Sequence, residues 1–281
     1  MIRIVTDSTC DVPAVLLAEH RVVVVPVNIQ FDHESYQEGI TLTAASFYKK
    51  VAEHNRIPTT SQPSIGQFQA AYLPLQEDPD TEAILSVHIT GNLSGTCESA
   101  VVAAGQMPAE PPITTFDSRS GSMGLGFMVL EAAEMARKGA SLPIILARLE
   151  TLREQMRVYF SLDDLKYGRM SGRVGAAQAL MASLLHIKPM LTVSEGKLAL
   201  VGRVRSRAQA LHALIDTLSE QLSDRPARVA VIHAHAPEAA EQVRAALAQR
   251  VSAPQIIVSE LSVGIAVHLG PGTVGVVGYN P

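Results

Sequence analysis

The sequence predicts an α/β protein of two domains: an N-terminal parallel-sheet α/β/α domain over residues 1–157 and a C-terminal mixed-sheet α/β domain over residues 158–281. Two observations carry that class. In the first half, short apolar strands alternate with helical segments, the pattern of a parallel sheet covered on both faces. In the second half, the segments Ile187–Val193 and Lys197–Arg203 meet at Ser194-Glu195-Gly196, a hairpin signal foreign to an all-parallel sheet.

The elements follow in order. Ile2–Thr6 reads as a strand that ends at Asp7-Ser8-Thr9, Pro13–His20 as a helix, and Val22–Gln30 as a strand broken by Pro26. Thr43–Glu53 is helical. Ser64 can cap the next helix, and Gln67 three residues on completes a capping box. Strand Ala83–Val87, helix Gly95–Ala104, strand Ile113–Phe116 with its Asp117-Ser118 end, and helix Met123–Lys138 complete the first half. The second half opens with strand Arg157–Leu162 and an almost wholly apolar helix, Val174–His186. After the hairpin come helix Ser206–Leu222, strand Arg228–Ile232, helix Pro237–Gln249 and strand Gln255–Val258. Two strands, Val263–His268 and Thr273–Gly278, close the chain. Ligands of open parallel sheets sit beyond the carboxyl ends of the strands. Asp7-Ser8, the Ser94 segment and Asp117-Ser118 all fall on that edge.

Composition narrows the function. With 47% hydrophobic and 18% charged residues, a packed globular protein is expected. The net charge of -4 and the lack of any basic run argue against nucleic acid as a partner. The two cysteines, Cys10 and Cys97, follow no metal-ligand spacing, so a cytoplasmic location is expected. The first residues run straight into a strand, without signal-peptide features. The apolar stretch Val174–Ile187 is too short to span a bilayer, so an integral membrane protein is not expected. His233-Ala234-His235 has no third ligand nearby, so neither a metal nor a cofactor is expected.

Two clusters of small hydroxyl residues stand out: Thr60-Ser61-Gln62-Pro63-Ser64 and Leu93-Ser94-Gly95-Thr96. Each precedes a helix, where hydroxyls and free backbone N–H groups suit an anion. Neither cluster contains a cation, which points to a small acid head group held by neutral donors. Gly270-Pro271-Gly272-Thr273-Val274-Gly275 matches GxGxxG, but no room for a helix follows Gly275, so it reads as a tight turn between the terminal strands. Gly91-Asn92-Leu93-Ser94-Gly95 resembles a nucleophile elbow with its serine one place late. A triad of Ser94, His268 and Asp7 or Asp117 is therefore the competing reading, a stand-alone serine esterase or acyltransferase. A sensor of a non-lipid small molecule is the third. Arg169, Arg173, Arg205 and Arg207 form either solvated surface or a face for a partner or phosphate. The helix Val174–Ile187 is either core or one wall of an apolar ligand tunnel.

Taken in order, these motifs resemble the DegV family of bacterial fatty-acid-binding proteins, nearly end to end. The resemblance rests on Ile4-Val5-Thr6-Asp7-Ser8-Thr9, the Thr-Ser-Gln-Pro and Leu-Ser-Gly-Thr segments, Asp117-Ser118, Gly172-Arg173-Val174, Ile187-Lys188-Pro189 and His268-Leu269-Gly270-Pro271-Gly272. This chain departs at Thr90-Gly91-Asn92, where many relatives carry a serine pair, and at Leu269, where a threonine is usual. The resemblance implies one long-chain fatty acid bound at the domain interface by a carrier without catalysis of its own. It implies a carboxylate site of Thr60, Ser61, Ser94, Gly95 and Thr96 with His268 close by, and Arg173 and Arg205 facing a partner or phosphate. The implied partner is a separate fatty acid kinase that makes the acyl-phosphate with ATP, with transient membrane contact for lipid exchange.

Overall fold

A computed structural model describes residues 1–54, 56–164, 166–168, 172–173, 187–222 and 225–281. It divides into two compact units: Met1–Glu154 with Ser262–Gly264, and Gln155–Leu261 with Ile265–Pro281.

The first unit runs β1 (Ile2–Asp7), α1 (Ala14–Glu19), β2 (Val23–Val25), β3 (Asn28–Phe31), β4 (Glu34–Gln37), α2 (Ala44–His54), β5 (Thr59–Ser61), α3 (Ile65–Glu77), β6 (Ala83–His88), α4 (Thr96–Gly105), β7 (Ile113–Asp117), α5 (Met123–Arg137) and α6 (Leu142–Gln155). Its main sheet is parallel throughout, in the order β2-β1-β6-β7. Every residue of β6 is buried, as expected of a strand covered on both faces. Val5, Val25 and Ile84 pack on Phe68 and Tyr72 of α3 and Ala100 and Ala103 of α4. Side chains alternate along a strand, so Ile4, Leu85 and Val87 point to the other face. There α5 packs against β1 and β6. A second, small sheet has the order β4-β3-β5 and is antiparallel.

The second unit runs β8 (Arg157–Ser161), β9 (Lys188–Ser194), β10 (Lys197–Val204), α7 (Arg207–Gln221), β11 (Arg228–His233), α8 (Pro237–Leu247), β12 (Ile256–Glu260), α9 (Val263–Leu269, whose Val263 and Gly264 count with the first unit) and β13 (Val274–Tyr279). Its sheet is ordered β10-β9-β8-β13-β11-β12 and is mixed, with β11 and β12 parallel and the other pairs antiparallel. Glu195 and Gly196, both at positive φ, make the two-residue turn of the β9–β10 hairpin. The core joins Leu214, Leu218, Ala240, Val243 and Leu247 of α7 and α8 to Val229, Val231, Val274 and Val276 of the sheet.

Three sequence expectations are corrected. Val263–His268, read as a strand, is the helix α9. Its apolar, β-branched composition mimics a strand. The backbone amides at its start, however, are taken by distant carboxylates: Ser262 N donates to Asp11 Oδ1 and Gly264 N to Glu38 Oε1. Gly270, at φ 82°, ends the helix by donating its N–H to Ala266 O. The glycine-rich turn therefore joins a helix to a strand, not two strands. Val22–Gln30 is two strands in two different sheets, and β4, β5 and α6 went unread. The apolar helix expected at 174–186 lies outside the described residues.

Candidate functional site

The chain leaves β1 toward β2 on one side and β6 toward β7 on the other, so β1 and β6 flank the switch point of the parallel sheet. Their last residues, Asp7 and His88, are buried and joined there: His88 Nδ1 lies 3.0 Å from Asp7 Oδ2. His88 Nε2 is 2.6 Å from Ser86 Oγ, which is 2.8 Å from Tyr72 Oη on α3. Asp7 also accepts from Ile89 N and from the amide and hydroxyl of Thr9. Burial opposes its ionisation, but the hydrogen bond and charge of His88 outweigh it and hold the carboxyl below the usual range. The Tyr72 hydroxyl is pushed up to about 12 by burial and stays a neutral donor. This chain of groups ties the loops after β1 and β6 to α3.

The loop after β6 carries Ser94 and is zipped to the loop after β7. Thr90 N donates to Ser120 O, Ser118 N to His88 O and Gly91 N to Asp117 Oδ2. Arg153 fastens Asp117 by donating to its backbone carbonyl and lies over the Phe116 ring at 3.9 Å. The loop closes as a turn, with the amides of Leu93 and Ser94 on Thr90 O. Ser94 Oγ lies 2.8 Å from Thr96 Oγ1 and accepts from Thr96 N. Gly95 stands at the N-cap of α4 and offers no side chain to it.

The other hydroxyl cluster arrives on β5. Thr60 pairs with Ile29 of β3 and Ser61 with Asn28. Asn28 Nδ2 holds Gln62 O and Gln67 Oε1. The capping box forms as expected: Gln67 N donates to Ser64 Oγ, and Ser64 N to Gln67 Oε1. The two clusters meet. A Cβ on Gly95 would stand 3.0 Å from Gln62 Nε2 and 3.1 Å from its Cδ. Gln62 of the first segment and Gly95 of the second thus stand in contact within the first unit, and neither segment contains a charged side chain.

His268, Arg173 and Arg205 belong to the second unit. His268 is half-buried near the end of α9. Burial, seconded by the charge of Arg173, lowers its titration point to about 4, so it is a neutral imidazole at physiological pH. Arg173 is exposed, directly after Gly172. Arg205 is also exposed, and its backbone N–H donates to Gln209 Oε1 ahead of α7.

Within the first unit, none of the hydrogen bonds among the described residues joins Ser94 to a histidine or a carboxylate. Its hydroxyl is engaged with Thr96, Asp7 is engaged with His88 and Thr9, and Asp117 accepts from Gly91 and Arg119. Asp7, His88 and Ser86 do follow the order of a hydrolase triad, but all three are 0% exposed and Ser86 is committed to Tyr72. Among the described residues, no group of three or more His, Cys, Asp or Glu side chains could hold a metal, and no helix is long and apolar enough to cross a membrane.

A family model described as "Uncharacterised protein, DegV family" matches residues 1–280. The chain belongs to the DegV family. It is 36% identical to Protein DegV of Bacillus subtilis over 277 residues, 98% of each chain. It is 39% identical to a DegV domain-containing protein of Deinococcus radiodurans over 279 residues, covering 98% of this chain and 97% of that one. A DegV family protein from Thermus thermophilus, described as binding fatty acid, has a TM-score of 0.93 at 36% identity and covers 100% of this chain and 99% of its own. The structure of DegV from Bacillus subtilis, described as a fatty acid binding protein, aligns with a TM-score of 0.88 at 33% identity over 100% and 99% of the two chains. Both hydroxyl clusters of this DegV-family chain stood out in its sequence as candidates for an acid site. The Asp7–His88 pair and the contact of Gln62 with Gly95 did not. A histidine ending a strand that is apolar but for Ser86 was the available signal for the first.

Proposed function

We propose that this protein is a carrier that binds one long-chain fatty acid and has no catalysis of its own. The observation that carries the reading is the meeting of the two hydroxyl segments through Gln62 and Gly95, in a fold shared with relatives described as fatty-acid-binding. The acid's carboxylate is assigned to Thr60, Ser61, Ser94, Gly95 and Thr96. The resemblance adds His268, a neutral imidazole at physiological pH.

The energetics divide the labour. Each buried methylene is worth roughly 0.8 kcal/mol, so a tail of about fourteen offers on the order of 11 kcal/mol before ordering costs. A few hydrogen bonds to the carboxylate, each about 1.5–3 kcal/mol when charge-assisted, decide which end is held. Neutral donors serve that purpose and leave the carboxylate oxygen nucleophilic, whereas a locked cation would stabilise the ground state against transfer. The further role, presentation of the acid to a separate fatty acid kinase for ATP-dependent acyl-phosphate formation, rests on the resemblance alone, as does the partner-facing role of Arg173 and Arg205. A cytoplasmic setting and transient membrane contact belong to the same proposal.

The test is a titration of the delipidated protein with saturated acids of increasing length. Affinity should rise about fourfold per added methylene until further methylenes stay in water. A flat dependence on length, or no binding, would reject the reading.

A further inference from the structure

Gly95 raises a question that its backbone does not answer. Its φ of -74° and ψ of 6° are open to any residue. The N-cap position of α4 favours Ser, Thr, Asp or Asn over glycine. Conformation therefore does not require a glycine here, and capping argues for something else. Space disfavours anything larger: a Cβ would stand 3.0 Å from Gln62 Nε2, 3.1 Å from Cδ and 3.5 Å from Oε1, so a side chain at 95 would press the amide aside by a few tenths of an ångström.

The Gln62 amide sits over that glycine from a firm base. Its backbone carbonyl accepts from Asn28 Nδ2 at 3.2 Å, Pro63 beside it is buried, and Ser64 begins the capping box of α3. No hydrogen bond of the Gln62 side chain to the protein is formed among the described residues, and the residue is exposed. The amide thus lies against Gly95, between Ser94 and Thr96 in the chain, with its two N–H donors uncommitted among the described residues. The neighbouring hydroxyls are already paired with each other at 2.8 Å. An N–H₂ group cannot accept, so it serves an acceptor-only head group better than the hydroxyls do.

We propose that Gln62 is a specificity-determining residue of the acid site, donating its side-chain N–H₂ to the carboxylate, and that Gly95 is a glycine so that this amide can reach it. The inference deepens the fatty-acid reading and rests on it. A charge-assisted bond to a carboxylate is lost at a larger cost than a neutral bond to an alcohol of the same length.

The experiment compares palmitic acid with hexadecanol at pH 8 on the delipidated parent, Gln62→Leu, Gln62→Glu and Gly95→Ala, with the thermal midpoint of each variant recorded. Gln62→Leu should weaken palmitate by about 10- to 100-fold and hexadecanol by less than about fivefold. Gly95→Ala, which keeps the amide but moves it, should show the same acid-selective loss. Gln62→Glu should weaken palmitate further by repulsion. Equal losses for acid and alcohol, or unchanged palmitate affinity in Gln62→Leu, would overturn the role of Gln62. A parent that binds neither lipid would instead reject the fatty-acid reading, and this inference with it.

Discussion

Two buried carboxylates give the first unit an unusual dependence on pH. Asp11 and Glu38 are nearly inaccessible, and burial raises both to about 7. Asp11 accepts from Ser122 Oγ and Ser262 N, and Glu38 accepts from Ser8 Oγ and Gly264 N. Asp7 repels the Asp11 carboxylate, and Asp11 in turn repels that of Glu38. In the unfolded chain both carboxyls ionise near pH 4. Between about pH 4 and 7 the folded state therefore holds more protons than the unfolded state, and stability falls as pH rises. The contribution is fully present below the unfolded values and gone above about 7, the reverse of an ordinary salt-bridged carboxylate. Each group can supply up to about 1.4 kcal/mol per pH unit, part of which relaxation and water entry absorb. A loss of about 2–4 kcal/mol between pH 5 and 8 is expected, or a drop of about 5–15 °C in the thermal midpoint for a unit of this size. The perturbation is the double variant Asp11→Asn, Glu38→Gln. Its amides keep an oxygen for Ser262 N and Gly264 N and mimic the protonated carboxyls. The parent-minus-variant difference in calorimetric midpoint, taken from pH 5 to 8, isolates these two groups from the histidines. It should fall with pH, with the variant more stable at pH 8. A difference that is flat, or that grows with pH, would refute the reasoning.

Other expectations follow from single contacts. Gly126→Ala ought to stabilise an exposed helix by up to about 1 kcal/mol, but here the new Cβ would stand 2.5 Å from Cys10 O. A net loss of about 1–3 kcal/mol by calorimetry is expected, and a gain would contradict the packing of α5. Tyr72→Phe leaves Ser86 without its phenol partner and should cost about 1–3 kcal/mol in denaturant midpoint. Arg173→Ala should raise the His268 titration point, followed by NMR, yet leave it below 6.5 because burial is the larger cause. The same variant should keep lipid affinity and lose turnover with a fatty acid kinase. Ser94→Ala should impair acyl-phosphate formation more than fatty-acid affinity, and comparable losses would remove the presenting role from that hydroxyl.

What could be read from the sequence was whatever local chemistry decides. The run at β6, apolar from Ala83 to Val87 but for Ser86, announced a strand covered on both faces, and Ser64 with Gln67 announced the start of α3, because a capping box is complete within four residues. The hydroxyl clusters were legible for the same reason. Where distant partners decide, the reading failed. Val263–Leu269 looks like a strand until Asp11 and Glu38 are seen holding the amides at its start. β4 is polar and short, so nothing in its own residues marks it apart from the pairing with β3. α6 did carry a signal, since Ile145, Leu149 and Leu152 are its buried residues at helical spacing. Gln62 against Gly95, and Asp7 against His88, join residues far apart in the chain, and only the fold reveals them.

Native mass spectrometry of the protein as purified tests the central claim most directly. The account predicts a species heavier than the bare chain by one long-chain fatty acid, with that acid recovered on denaturation and rebound when supplied again. A chain that carries no lipid, and takes up none on incubation with long-chain acids, would contradict it.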